Sequence, residues 1–278
     1  MDKILNPYHF KQGDSPLLVS MPHSGIRLLP EMEERLTDEA RLLPDTDWFI
    51  PELYSFLQNL NVSVIGANYS RYVVDLNRPV DDQPLYTSKT TGLFPEILFA
   101  DKPVFKPGQQ LTDAEKQQIK QEVWHPYHQH ILNELERIKA KFGYAILFDA
   151  HSIAAQVPML FEGTLPDFNF GTNDGQACAA IIGEKVNHIV AATGYSHVVN
   201  GRFKGGYITR GFGQPENDIH AIQLELSQAT YLADREDYQL DPAKVVNVAQ
   251  VLQAVIQSLL DTGNPSHHQE KELTRGAK

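Results

Sequence analysis

Two apolar runs in this chain lead into histidine. PLLVSMPHSG carries His23 just beyond a run that reads as a buried strand, and YAILFDAHS carries Asp149 and His151 at the end of another. In open α/β sheets, ligands collect beyond the carboxyl ends of the strands. Two imidazoles delivered to two such ends can share a metal ion. Zinc accepts neutral imidazole and carboxylate, and a catalytic site keeps one position open beside three protein ligands. Either histidine alone reads more simply as a hydrogen-bonded loop residue, so the pairing carries the ligand reading. The missing ligand would be a carboxylate. Asp45 and Asp47, in LLPDTDWF, both offer one, although an Asp before an apolar run such as Asp47 also reads as a helix N-cap.

A second chemical feature is Glu225 in AIQLELS. If this run is a strand, Ile222, Leu224 and Leu226 share one face and Gln223, Glu225 and Ser227 the other. A carboxylate in so apolar a stretch is a candidate general base, because burial raises its pKa. The simpler alternative is an edge strand with its polar face in water. Positive charge gathers in DLNRP, with Asn77 and Arg78, and in RFKGGYITR, with Arg202, Lys204 and Arg210. Guanidinium groups grip carboxylates through paired hydrogen bonds, so these positions suit a small acid with one or two carboxylates. Arg71 reads instead as a partner for Asp75. His125 and His128 stand three apart with Pro126 between them, and with His130 they read as packing rather than ligands. Ser24 and Ser152 lie outside any G-x-S-x-G nucleophile elbow, Cys178 reads as core, and His220 as structural. No Walker motif and no G-x-G-x-x-G is present.

The elements that must position these residues follow from periodicity. Residues 16–21, 62–67, 71–76, 144–149 and 221–227 read as strands. Residues 48–60, 112–141, 174–193 and 242–261 read as helices. The helix from Thr112 has capping-box spacing to Glu115, a kink expected at Pro126 and a stop at Gly143. Residues 80–110 read as a long ordered loop and 200–215 as a glycine-rich loop or hairpin. Strands alternating with helices imply one α/β domain over residues 1–262 with a mostly parallel sheet covered on both faces. Residues 263–278 read as a polar, disordered tail.

The whole chain sets outer limits. Its 278 residues carry a net charge of −11, which argues against nucleic-acid backbone binding, since that rests on clustered Lys and Arg. The single cysteine permits no internal disulfide and fits a reducing compartment. The N-terminus lacks the apolar core of a signal peptide, and no window approaches the ~20 apolar residues of a membrane span. A cytoplasmic enzyme is the expectation. Oligomeric state is not legible.

The motifs PHSG, DTDW, SRYVVDLNRP, TGLFP, PYH, DAHS, LFEG, NGRFKGGYITR and QLELSQATY, in that order, resemble the N-formylglutamate deformylase (amidohydrolase) family over roughly residues 5–260. The resemblance implies a phosphorylase/hydrolase-like α/β/α sandwich similar to zinc carboxypeptidases. It implies metal-dependent hydrolysis of N-formyl-L-glutamate to L-glutamate and formate, in histidine breakdown. His23 and His151 would be metal ligands, with Zn2+ the expected ion. Zinc carboxypeptidases take their carboxylate ligand three residues after the first histidine, where this chain has Ile26. The resemblance therefore points to Asp47 as the replacement, with Asp45 the alternative. Glu225 would activate water, Asn77 and Arg78 would hold one substrate carboxylate, and Arg202, Lys204 and Arg210 would be candidates for the other. Two alternatives stay open: a metalloamidase acting on another N-acyl amino acid or a C-terminal peptide bond, and a carboxylate-binding protein without catalysis.

Overall fold

Apolar residues that alternate along the strands build two main cores, one on each face of a seven-stranded sheet. The computed structural model describes residues 3–84, 90–234 and 238–267. The strands of its main sheet are β1 (Tyr8–Lys11), β2 (Leu17–Met21), β3 (Ser63–Ala67), β4 (Ala145–Ile153), β5 (Phe168–Gly171), β6 (His197–Val199) and β7 (Ile219–Ser227), in the order β1-β3-β2-β4-β7-β5-β6, and β8 (Leu232–Asp234) and β9 (Gln239–Leu240) form a separate two-stranded sheet. The central strands β3, β2, β4 and β7 are parallel, while β1 and β5 join them antiparallel. The helices are α1 (Met32–Arg35), α2 (Asp38–Arg41), α3 (Ile50–Leu53), α4 (Asp113–Ile119), α5 (His125–Phe142), α6 (Ala180–Ala191), α7 (Tyr207–Phe212) and α8 (Pro242–Leu260).

Leu18, Ile65, Leu147 and Ala221 pack under α5, which contributes Tyr127, Ile131, Leu135 and Ile138. Leu17, Val19, Ile146, Phe148, Ile222 and Leu224 pack under α3, α6 and α8 on the other face. The result is the expected three-layer α/β/α sandwich with a mixed, mostly parallel sheet. α8 has the length and hydropathy of a membrane-spanning helix, yet its Val248, Leu252, Val255 and Leu259 are fully buried in the second core.

Several elements differ from the sequence reading, each for a local reason. Residues 71–76 are buried but not a strand. The Val73 N–H bonds back to Ser70, and Arg71 closes an ion pair of 2.6 Å with Asp75 four residues on. In a strand those two positions would lie ~13 Å apart, so the β-branched pattern records burial only. The helix expected over 48–60 shrinks to α3 followed by a 3-10 turn over Ser55–Asn59, because Phe49 sits at φ 60° and Pro51 begins a new helix start. Just before Pro126 the helix widens into a π-helical turn over Lys120–Trp124, which places the proline in the first turn of α5, where its missing N–H is tolerated. α6 begins later than expected, and residues 207–212 form α7 rather than a hairpin. Of the tail, residues 263–267 are described: Asn264 and Ser266 bond to Asp218 and His220. Residues 268–278 of the expected disordered tail lie outside the described residues.

The capping box of α4 forms as expected: the Glu115 N–H donates to Thr112 Oγ1, and Glu115 accepts the Thr112 N–H. Thr112→Ala should cost about 1 kcal/mol of stability, read as a lower urea midpoint with unchanged activity. An unchanged midpoint would show that the cap is redundant.

Candidate metal centre and its cavity

The parallel strands deliver the site through their register. In β4 the side chains that continue the α5-facing side beyond Ala145 and Leu147 are Asp149 and His151; in β7, after Ala221, they are Gln223 and Glu225. The β4–β7 pairing sets Asp149 beside Gln223 and His151 beside Glu225. β4 runs on to Ile153, so His151 belongs to the strand rather than to the loop after it. β7 is an interior strand, so Glu225 does not face bulk water from an edge.

His23 follows β2, and its Nδ1 lies 3.1 Å from His151 Nδ1. Asp47 Oδ2 sits 3.0 Å from His151 Nδ1 and 3.8 Å from His23 Nδ1. All three residues are buried. The Asp47 N–H donates to the His23 carbonyl, which ties the two segments together. Leu43 and Phe49, at φ 50° and 60°, bracket the stretch that carries Asp47, and such strain persists only where surrounding structure enforces it. Asp47 therefore does not cap a helix. Asp45 turns away: its Oδ2 accepts the Tyr72 hydroxyl at 2.9 Å and the Phe99 N–H at 3.0 Å.

The outer nitrogen of each imidazole rests on a carboxylate, His23 Nε2 on Asp75 Oδ1 at 2.7 Å and His151 Nε2 on Asp149 Oδ2 at 3.0 Å. In the tautomer that protonates each Nε2, both Nδ1 atoms turn inward as electron-pair donors, the usual support of metal-binding histidines. Two nitrogens and a carboxylate oxygen, all within 4.8 Å of one another, then converge on one point. Three such donors gathered in a buried spot could hold a cation between them. The donor set suits zinc and equally other divalent transition ions.

The electrostatics follow. Burial, with the Arg71 charge, holds His23 below its usual range. Burial works the same way on His151, but Asp149, Asp47 and Glu225 outweigh it and hold that imidazole well above its ordinary value. Burial would raise Asp75, yet His23, Arg71 and Arg78 together hold it well below the usual carboxylate range. Burial pushes Glu225 up to about 8, with His151 and Arg71 opposing and Asp47 and Asp149 adding. Its Oε2 is buried and meets no hydrogen-bond partner among the described residues.

A cavity opens over this cluster. Its polar side is formed by His23, Arg71, Arg78, His151, Arg202 and Glu225, with Asn77, Gln223 and Thr90 beside them; Phe99, Ile153, Leu160 and Phe203 form an apolar wall. Among the basic residues expected to hold substrate, Arg78 and Arg202 line the cavity. Arg78 is steadied by the Thr91 and Asn77 carbonyls and the Thr90 hydroxyl, and Arg202 by the Leu160 carbonyl. Lys204 and Arg210 are not among the lining residues: Lys204 is ion-paired with Asp174 at 2.9 Å, and Arg210 Nε donates to the Gly205 carbonyl. Asn77 is buried, with its side chain directed at His151, Asp149 and the backbone of α7. Arg71 makes the expected pair with Asp75 and also faces the cavity, stacked over Phe99 at 4.8 Å. That second role, and the parts of Asp75, Gln223 and the apolar wall, escaped the sequence reading. Alternation along β7 could have found Gln223; of the wall residues Ile153 ends β4, while Phe99, Leu160 and Phe203 come from irregular segments and carry no signal.

The remaining candidates lie elsewhere. His128 stacks on Trp124 at 3.8 Å, Ser24 bonds to the Met21 carbonyl, and Ser152 accepts the Tyr231 hydroxyl.

Asp75 supplies a test of this charge network. Its folded pKa is depressed, so its contribution to stability is present above the unfolded value of about 3.9 and is lost as pH falls through the folded value. Asp75→Asn should therefore lose about 3–5 kcal/mol at neutral pH, the usual cost of breaking a buried pair. Its stability should also fall less steeply than that of the parent below pH ~4. Urea midpoints of the metal-free proteins across the acid range measure both. Parallel curves for the two proteins would contradict the assigned network.

The profile of the family described as N-formylglutamate amidohydrolase matches residues 15–232. The N-formylglutamate deformylase of Pseudomonas aeruginosa is 52% identical over 263 residues, covering 94% of this chain and 96% of that protein. The N-formylglutamate deformylase of Pseudomonas putida is 50% identical over 266 residues, covering 95% and 98%. The crystal structure of an N-formylglutamate amidohydrolase from Ralstonia eutropha JMP134 superimposes with a TM-score of 0.81 at 20% identity, covering 93% of this chain and 98% of that one, and so shares the fold. With a matched profile over most of its length and two relatives at half identity or more, this chain belongs to the N-formylglutamate amidohydrolase family.

Proposed function

We propose that the protein is a metal-dependent deformylase that hydrolyses N-formyl-L-glutamate to L-glutamate and formate, with a divalent ion, Zn2+ as the leading choice among the ions its donor set suits, held by His23, Asp47 and His151. One observation carries the reading: three electron-pair donors converge beside the part-buried Glu225, whose Oε2 is buried and has no partner among the described residues. When bound, the ion supplies Lewis acidity, polarising a carbonyl oxygen and making a water acidic enough to attack near neutral pH.

The chain's residues do the rest. Glu225, across the sheet from His151, takes the proton of the attacking water and returns it to the leaving amide nitrogen. A carboxylate raised toward about 8 is a stronger base than an exposed one, which suits this task. Arg78 and Arg202 hold the substrate carboxylates from the cavity's polar side, and the buried Arg71 charge favours the oxyanion that develops at the formyl carbon. Three guanidinium groups on one cavity, in a chain of net charge −11, also explain how an acidic protein can take a dianion. Phe99, Ile153, Leu160 and Phe203 exclude water and confine the acyl group. Lys204 and Arg210 act at most through the loop that carries them. The setting is the cytoplasm, where the lone buried Cys178 stays reduced.

Formate release from N-formyl-L-glutamate should be lost on chelation and restored by added Zn2+. Activity that survives complete removal of metal would reject the three-ligand site. Glu225→Gln should lower kcat by about 10²–10⁴-fold while the protein still takes up one metal ion. An unaltered kcat would exclude Glu225 as the base.

A further inference from the structure

Asn77 has the position of a substrate-binding residue but not the bonding of one. Its Oδ1 accepts the Ile208 backbone N–H at 2.8 Å, which fixes which way the amide points. Its Nδ2 then lies 3.0 Å from His151 Nε2 and donates to Asp149 Oδ2 at 3.4 Å, the same oxygen that faces His151 Nε2. The backbone of Gly206 presses against the amide so closely that a Cβ there would lie 2.3 Å from Asn77 Nδ2. The Gly206 N–H is itself held by Gln223 Oε1 at 2.7 Å. The amide is thus enclosed by the His151–Asp149 pair on one side and the glycine turn entering α7 on the other.

We infer that Asn77 is a positioning residue that locks the Asp149–His151 pair and the Gly205–Ile208 turn into one unit, rather than a holder of substrate carboxylate. This rests on the proposed metal site at His151. The amide shares the Asp149 oxygen with the imidazole, so it limits rotation of both side chains about the direction in which His151 Nδ1 faces Asp47. Its other end anchors the first turn of α7, which follows directly on the loop carrying Arg202. Carboxylate recognition then falls to Arg78 and Arg202. Groups that orient a metal-bound histidine commonly change metal affinity by 10–100-fold when removed, whereas loss of a residue that grips only substrate raises KM and leaves metal affinity alone.

Two variants test this. Asn77→Ala removes the amide; Gly206→Ala leaves every polar group in place and pushes a methyl group into that amide. Metal affinity is measured by competition with a chromophoric chelator, without substrate. The kcat and KM for N-formyl-L-glutamate are measured at saturating Zn2+, with the wild-type protein alongside. The inference expects both variants to bind Zn2+ about 10–100-fold more weakly, and kcat to fall by more than KM rises. Unchanged Zn2+ affinity with a KM raised tenfold or more in Asn77→Ala would overturn it in favour of substrate contact. Should Asn77→Ala fail to fold, Gly206→Ala decides alone: wild-type Zn2+ affinity and kcat in that variant would overturn the inference. A wild-type protein that neither binds Zn2+ nor releases formate would instead reject the proposed function on which the inference rests.

Discussion

The architecture turns on burying three electron-pair donors face to face. His23 Nδ1 and His151 Nδ1 stand 3.1 Å apart with Asp47 beside them, and facing electron pairs in a buried site repel one another unless a proton or a bound cation lies between them. Everything nearby serves to hold the three in place. Asp75 and Asp149 back the two imidazoles, Arg71 neutralises Asp75, and the Asp45 carbonyl receives Arg71 in turn. A network of this kind is costly when half satisfied and rigid when complete, which explains why so many of its members come from well-packed strands and closed turns.

The sheet supplies the precision. Parallel pairing of β2, β4 and β7 brings the carboxyl ends of three strands to one place, and side-chain alternation sends Asp149, His151, Gln223 and Glu225 to the same face. A one-residue slip in β7 would turn Glu225 into the core under α6 and α8. The loops supply what strands cannot. The turn at residues 70–75 folds Asp75 back onto His23, the strained stretch before Phe49 brings in Asp47, and the glycine turn before α7 lets backbone approach Asn77.

Much of this was legible in the sequence where one periodicity dominates. The runs ending at Met21 and containing His151 and Glu225 alternate or fill with apolar residues as interior strands must, and Thr112, Glu115 and Gly143 mark their helix by chemistry that needs no tertiary context. Legibility fails where tertiary contacts set the conformation. RYVVDL has the composition of a strand but is bent by the Arg71–Asp75 pair, and NGRFKGGYITR resembles a hairpin until Asn77 captures the start of α7. The basic residues illustrate the same limit. Arg78 and Lys204 look alike in sequence, and only folding shows that one lines the cavity while the other pairs with Asp174.

The most direct test of the central claim is anomalous diffraction at the zinc edge from crystals of the zinc-loaded protein. The account predicts one strong peak about 2.0–2.2 Å from His23 Nδ1, His151 Nδ1 and an Asp47 oxygen, with Glu225 near but not bound. A fully active crystal preparation with no ion at that point, or with its ion on other ligands, would contradict it.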